Sequence, residues 1–212
     1  MKRSLFFQQL IQSSVAISLI CSLVSSGIAG TGKKKESARG GASISIDNYG
    51  QVNDHLYRGS QPKDEEYREL AAAGIKTVLD LREDVKSESK ADAEHAGLRY
   101  INLPLGDKEY PQADAARRFL EIVNDQANWP VYVHCAGGRH RTGSMIAVYR
   151  MTVDHWTLNQ AYDEMKKYDF YTSGGHGCYK EYVNDYYRGL QANIQTQPSK
   201  QDPMVSREAA RL

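Results

Sequence analysis

Cysteine is scarce in this chain: Cys21, Cys135 and Cys178 are the only three in 212 residues, and no two stand in a C-x-x-C spacing. So scattered a set excludes a disulfide framework and offers no ligand set for a structural zinc. A surplus of either charge is also missing, with 27 lysines and arginines against 26 aspartates and glutamates. Two of the basic residues, Lys2 and Arg3, belong to an N-terminal segment without acidic residues, which leaves 25 basic and 26 acidic side chains for the rest. That balance excludes the strongly basic surface of a nucleic-acid binder, and no nucleic-acid partner is expected. No internal repeat is present, which sets aside the repeat architectures. The one long apolar stretch, residues 5–24, is diluted by Gln8, Gln9, Gln12 and several serines, which weakens it as a permanent membrane span. What remains is ordinary: 41% hydrophobic and 25% charged residues describe a soluble globular domain long enough to bury a core.

The chain divides by composition. Residues 1–29 have the layout of an export signal, with Lys2-Arg3, an apolar stretch and the small-x-small sequence Gly27-Ile28-Ala29. The alternative is an uncleaved anchor, a possible membrane tether. Ile20 before Cys21 disfavours lipidation. Either reading puts the body outside the cytoplasm: periplasmic, secreted or tethered. Residues 30–43 form a charged, glycine-containing linker, and residues 191–212 a polar tail with two prolines that is expected to fray. The folded unit is residues 44–190. Within it, short apolar strands are expected at 55–58, 76–81, 99–103 and 131–134. Helices are expected at 64–73, 87–96, 113–124, after Arg141, at 158–168 and at 179–190. Apolar strands separated by helices predict an α/β fold in three layers, a mostly parallel sheet of four to five strands with helices on both faces. Ligands of such sheets sit at the carboxyl ends of the strands.

Cys135 falls at one such end. The segment VYVHCAGGRHRTG reads as a strand, a loop and a helix start. Gly137 and Gly138 let the loop curl so that its N–H groups turn inward, and a helix opening at Arg141 adds its positive dipole end to the same bowl. Such a bowl binds a phosphate-sized anion and favours the thiolate of a cysteine at its lip. The pattern C-x5-R lets the N–H groups of Ala136, Gly137, Gly138, Arg139 and His140 converge on one anion while the planar fork of Arg141 takes two of its oxygens. A thiolate attacking phosphorus needs that ring of donors for the equatorial charge of an in-line transfer. A structural cysteine at a strand end does not bring two glycines, a timed arginine and a helix start with it.

The sequence His134-Cys135-Ala136-Gly137-Gly138-Arg139-His140-Arg141-Thr142-Gly143 resembles the signature loop of the cysteine-based protein tyrosine and dual-specificity phosphatases. It is most similar to the compact atypical group of plants and fungi. Tyr57-Arg58-Gly59-Ser60-Gln61-Pro62, Val78-Leu79-Asp80-Leu81-Arg82, Gly106-Asp107-Lys108-Glu109 and Asp163-Glu164 extend the likeness across the folded unit. The resemblance implies that Cys135 is the nucleophile of a phosphocysteine mechanism and Arg141 the phosphate clamp. Thr142 would offer its hydroxyl to the departing sulfur, and His134 would brace the loop and help keep the thiol ionised. Arg139 and His140 would lie at a basic rim, or be ordinary exposed charges. Asp107, 28 positions before the cysteine, is the implied general acid, with Asp84, Glu109 and Asp114 as substitutes. Neither cofactor nor metal is expected. The implied substrate is a phosphorylated protein, phosphotyrosine above all, or an inositol polyphosphate or pyrophosphate whose extra charge Lys108, Arg139 and His140 would meet. A sulfurtransferase and an inactive phosphate-reading module are the remaining alternatives. Cys178 is either a redox partner for Cys135 or a loop residue without a role.

Overall fold

The computed structural model of the protein describes residues 44–85 and 87–196. The expected export segment, the linker at 30–43 and residues 197–212 of the tail lie outside the described residues, as does Cys21. No helix among the described residues is long and apolar enough to cross a membrane.

The expected α/β architecture is present. Five strands run in the order β1-β2-β5-β3-β4. They are β1 (Gly50–Gln51), β2 (Leu56–Gly59), β3 (Thr77–Arg82), β4 (Arg99–Leu105) and β5 (Val131–His134). The short edge strand β1 is antiparallel to β2, and every other pairing is parallel. The helices are α1 (Asp64–Ala72), α2 (Ser87–His95), α3 (Ala115–Asn124), α4 (Arg141–Thr152), α5 (Leu158–Lys167) and α6 (Gly177–Thr196). A two-residue strand carries too little pattern to be read from sequence, and β1 was not expected. The last helix runs six residues past Leu190, into the segment expected as the polar tail.

Strand periodicity decides which layer each residue joins. Val78 and Tyr132 turn to one face, where Tyr67 and Leu70 of α1 and Ala93 of α2 complete a core. Leu79, Leu81, Val131 and Val133 turn to the other, against Phe119 and Val123 of α3, Met145, Ile146 and Val148 of α4, and Val183 of α6. β5 is buried along its whole length, and residues 141–149 of α4 are all buried. A helix enclosed on every side needs no polar stripe, and this one has none. The central strand and the central helix are therefore the best-fixed elements of the fold, and the segment 135–140 joins them.

Helix starts follow local chemistry. α1 opens with Lys63 N–H donating to Glu66 Oε2 at 2.7 Å, and α5 opens on a Thr157/Gln160 capping box. The register aligns Gly59, His134 and Asp80 side by side at the carboxyl ends of β2, β5 and β3. This row forms the floor of the site.

Candidate active site

Cys135 leaves the end of β5 and Arg141 begins α4, so the loop between them crosses the carboxyl edge of the sheet, as expected. Its shape is set by donors beneath it. His134 Nδ1 lies 3.2 Å from the Cys135 carbonyl, and Gln61 N–H donates to the Ala136 carbonyl at 3.0 Å. Asn48 Nδ2 donates to the Gly137 carbonyl at 3.2 Å and Arg58 Nη2 to the Gly138 carbonyl at 2.9 Å. In a planar trans peptide the C=O of one residue and the N–H of the next point in opposite directions. Four carbonyls held outward therefore aim the N–H groups of Ala136, Gly137, Gly138 and Arg139 into the bowl. Gly138 is required twice over: its φ is +67°, and a Cβ there would overlap the Gly59 carbonyl.

Arg58 is the largest contribution that the sequence did not reveal. It is fully buried, stacks on Tyr168 at 3.8 Å and leaves Nε and Nη1 without a hydrogen-bond partner among the described residues. Burial lowers its pKa to about 10, with Tyr168, Glu164 and the Cys135 sulfur acting the other way. It remains a cation at neutral pH, the second one beside the loop after Arg141. Asn48 was equally hidden. It ties Gly137 to the Tyr168 carbonyl, at 3.1 Å, and adopts φ +59° to do so. Left-handed backbone at non-glycine residues is costly and gathers at functional sites. Asn48, Lys108 and Asp169 all show it, and all three flank this loop or its neighbours.

Two of the expected catalytic side chains, Arg141 and Asp107, come together. Arg141 is 6% exposed, with Nη1 donating to the Leu105 carbonyl at 3.3 Å. Its Nη2 stands 3.6 Å from Asp107 Oδ1, so the loop after β4 delivers its carboxyl to the mouth of the bowl. Thr142 Oγ1 is buried and has no partner among the described residues. Of the substitute acids, Asp114 pairs with Arg117 at 3.6 Å on α3, and Glu109 folds its carboxyl against Gly106.

Burial bears on the charge of both histidines beside the loop. His134 is fully buried, and burial lowers its pKa, although Asp80 at 3.8 Å pulls the other way. Its Nδ1–H donates to the Cys135 carbonyl, which braces the loop. Asp80 itself is engaged by Arg82 at 2.6 Å and the Tyr100 hydroxyl at 2.7 Å. His140, expected as a rim cation or an ordinary exposed charge, is neither. Its Nε2 donates to the Tyr171 carbonyl at 3.0 Å, its ring stacks on His176 at 3.7 Å, and burial followed by His176 takes its pKa down to about 4. Arg139 is at the rim, half exposed, with Asp169 3.9 Å away. Cys135 and Cys178 are both free thiols, and burial raises the pKa of Cys178, which disfavours a role as a ready redox partner.

These buried histidines give a testable pH dependence. Both pKa values are lowered in the folded protein, so the unfolded chain binds the protons first. The stability due to keeping them neutral is complete above about pH 6.5 and is lost as pH falls toward the folded values. The urea midpoint is expected to drop between about pH 7.5 and 5, and His134→Gln to flatten that slope by up to about 1.4 kcal/mol per pH unit. An unchanged slope in the variant would show that His134 is not held neutral.

A cysteine and an arginine six positions apart, on a strand–loop–helix at the carboxyl edge of a parallel sheet, define the class of cysteine-dependent phosphatases. A family model described as the DSP-PTPase phosphatase fused to NAD+ kinase matches residues 39–185, and the chain belongs to this family. Among curated proteins it is 36% identical over 104 residues to the probable chloroplastic NAD kinase 2 of Oryza sativa subsp. japonica, covering 46% of this chain and 11% of that protein. It is 28% identical over 133 residues to the inositol diphosphatase SIW14 of Saccharomyces cerevisiae, covering 60% of this chain and 47% of that one. The chain thus spans less than half the length of these two relatives. The crystal structure of P. aeruginosa TpbA superimposes with a TM-score of 0.60 at 25% identity, over 73% of this chain and 94% of that one.

Proposed function

We propose that the protein hydrolyses phosphomonoesters through a phosphocysteine intermediate, with phosphotyrosine and other phosphorylated protein side chains as its substrates. One observation carries the reading: Arg141 stands between the inward-facing loop and Asp107, so anion clamp and acid face one place from separate segments. The Cys135 thiolate attacks phosphorus from within the bowl. As the P–O bond breaks, the equatorial oxygens rest on the loop N–H groups and the Arg141 fork, and Asp107 gives its proton to the leaving oxygen. Water then attacks the phosphocysteine and passes a proton to the Asp107 carboxylate. The S–P bond breaks, the sulfur departing as a thiolate that the Thr142 hydroxyl stabilises, and inorganic phosphate leaves.

A second reading, an inositol polyphosphate or pyrophosphate as substrate, is favoured by relatives named inositol diphosphatase in yeast, Arabidopsis thaliana and rice. The rim argues for the protein substrate. A polyanion needs several free cations, yet of the three that the sequence offers His140 is neutral and Arg139 has an aspartate beside it, which leaves Lys108. A screen in the presence of a chelator, comparing phosphotyrosine peptides with inositol polyphosphates, decides between them. Higher kcat/KM on the inositol compounds would reverse the order. Export is proposed on the layout of residues 1–29 alone, and N-terminal sequencing of the mature protein tests it.

The acid has its own test. General acid catalysis contributes about 10²–10⁴-fold where the leaving group needs a proton. Asp107→Asn is expected to slow an alkyl phosphate by about that factor and an aryl phosphate with a strongly acidic phenol far less. Equal slowing of both would remove Asp107 from the role.

A further inference from the structure

Asp107 sits on an exposed turn, 60% exposed at its side chain, and its approach to Arg141 at 3.6 Å is too long to fix it. The turn is held from below by one hydroxyl. Tyr179, fully buried on the first turn of α6, donates to the Gly106 carbonyl at 2.9 Å and accepts from the Lys108 N–H at 2.9 Å. These two groups belong to the residues immediately before and after Asp107, so the hydroxyl spans the base of the carboxyl's own peptide. Lys108 has φ +60°, a left-handed conformation that is unfavourable for a residue bearing a Cβ. Such backbone persists only where its surroundings over-determine it.

A second support comes from the turn leading into α6. Gly175, at φ +91°, lies against the Lys108 side chain, since a Cβ there would be 3.3 Å from Lys108 Cδ. The Tyr179 ring also stacks near His140 at 6.0 Å, and His140 is the last residue before Arg141. One tyrosine thus holds the acid turn and lies near the end of the anion loop. Burial raises its pKa to about 12, which keeps the hydroxyl protonated and able to donate and accept at once.

We propose that Tyr179 is a positioning residue for proton transfer: its hydroxyl fixes the Gly106–Lys108 turn so that the Asp107 carboxyl reaches the leaving-group oxygen. The proposal rests on the reading of Asp107 as general acid. Tyr179 itself touches no reacting atom. The sequence hides this role because Tyr179 is one of several tyrosines in a helix whose other rings, Tyr182, Tyr186 and Tyr187, pack into or against the core.

Tyr179→Phe keeps the buried ring and removes only the hydroxyl. The full chain carrying Tyr179→Phe, Asp107→Asn or both is assayed on an alkyl phosphate and on an activated aryl phosphate, with the thermal midpoint of each variant recorded. Tyr179→Phe is expected to lower kcat on the alkyl ester by about tenfold or more, part of the range of general acid catalysis, and on the aryl ester by less than about twofold. KM should hold on both esters. The double variant should lose no more than Asp107→Asn alone, because the hydroxyl acts through the carboxyl. Equal losses on both esters, no loss on either, or a double variant with multiplied losses each overturns the proposal while leaving Asp107 in place. An Asp107→Asn variant that does not discriminate between the esters overturns the acid reading and this inference together.

Discussion

Cys135→Ser is expected to lower kcat on an aryl phosphate by at least about 10⁴-fold, about 5 kcal/mol in the barrier, while leaving the binding of inorganic phosphate within about threefold of the wild type. The two halves of that result have separate physical origins. Nucleophilic attack requires an ionised group, and a serine hydroxyl stays protonated at neutral pH. His134 is turned away, with Nδ1 engaged by the Cys135 carbonyl and Nε2 toward Asp80. No histidine–serine pair is there to rescue the substitution. Anion binding depends on the loop N–H groups and Arg141, and the carbonyl anchors at Gln61, Asn48 and Arg58 do not involve the sulfur. Titration calorimetry with phosphate and steady-state assays on p-nitrophenyl phosphate measure the two halves. Turnover within tenfold of the wild type would remove Cys135 as nucleophile.

The chemistry of this site was legible in the sequence because it is contiguous. Cysteine, glycines, arginine and helix start follow one another between residues 135 and 143, and their spacing carries the mechanism. The parallel sheet was legible for a similar reason, since apolar strands of four to seven residues alternate with helices. The groups that hold the loop in shape were not. Asn48 and Arg58 lie 89 and 80 positions from the carbonyls they bind, and in sequence they are a turn former and a charge in a short strand. Nothing local distinguishes an arginine that will be buried beneath an anion site from one that will be solvated. His140 failed in the opposite direction. Its place in a basic loop suggested an exposed cation, but the turn between α5 and α6 folds over it and takes away its charge. Identity and spacing fix which bond is broken, whereas the charge of the rim is fixed by burial, which only the fold determines.

That division bears on Arg141, where charge and shape separate. Arg141→Lys keeps a cation at the loop end and is expected to lower kcat by about 10³-fold, the low end of what a phosphate-clamping arginine contributes to phosphoryl transfer. An ammonium is a point charge with rotatable donors, and it cannot give two parallel hydrogen bonds to two equatorial oxygens. Lysine also loses a structural link. Arg141 Nη1 holds the Leu105 carbonyl at 3.3 Å, at the end of β4, while Nη2 faces Asp107. On the proposed mechanism the same side chain clamps the phosphoryl group and faces the turn that carries the acid. KM for an aryl phosphate should rise as well, because the fork binds the ground-state phosphate too. The aryl ester isolates the clamp, since its leaving group needs little help from Asp107. A kcat within tenfold of the wild type in Arg141→Lys would mean that the loop N–H groups and the buried Arg58 beneath them carry the equatorial charge by themselves. The fork would then serve chiefly to bind phosphate and to hold the β4 turn in place.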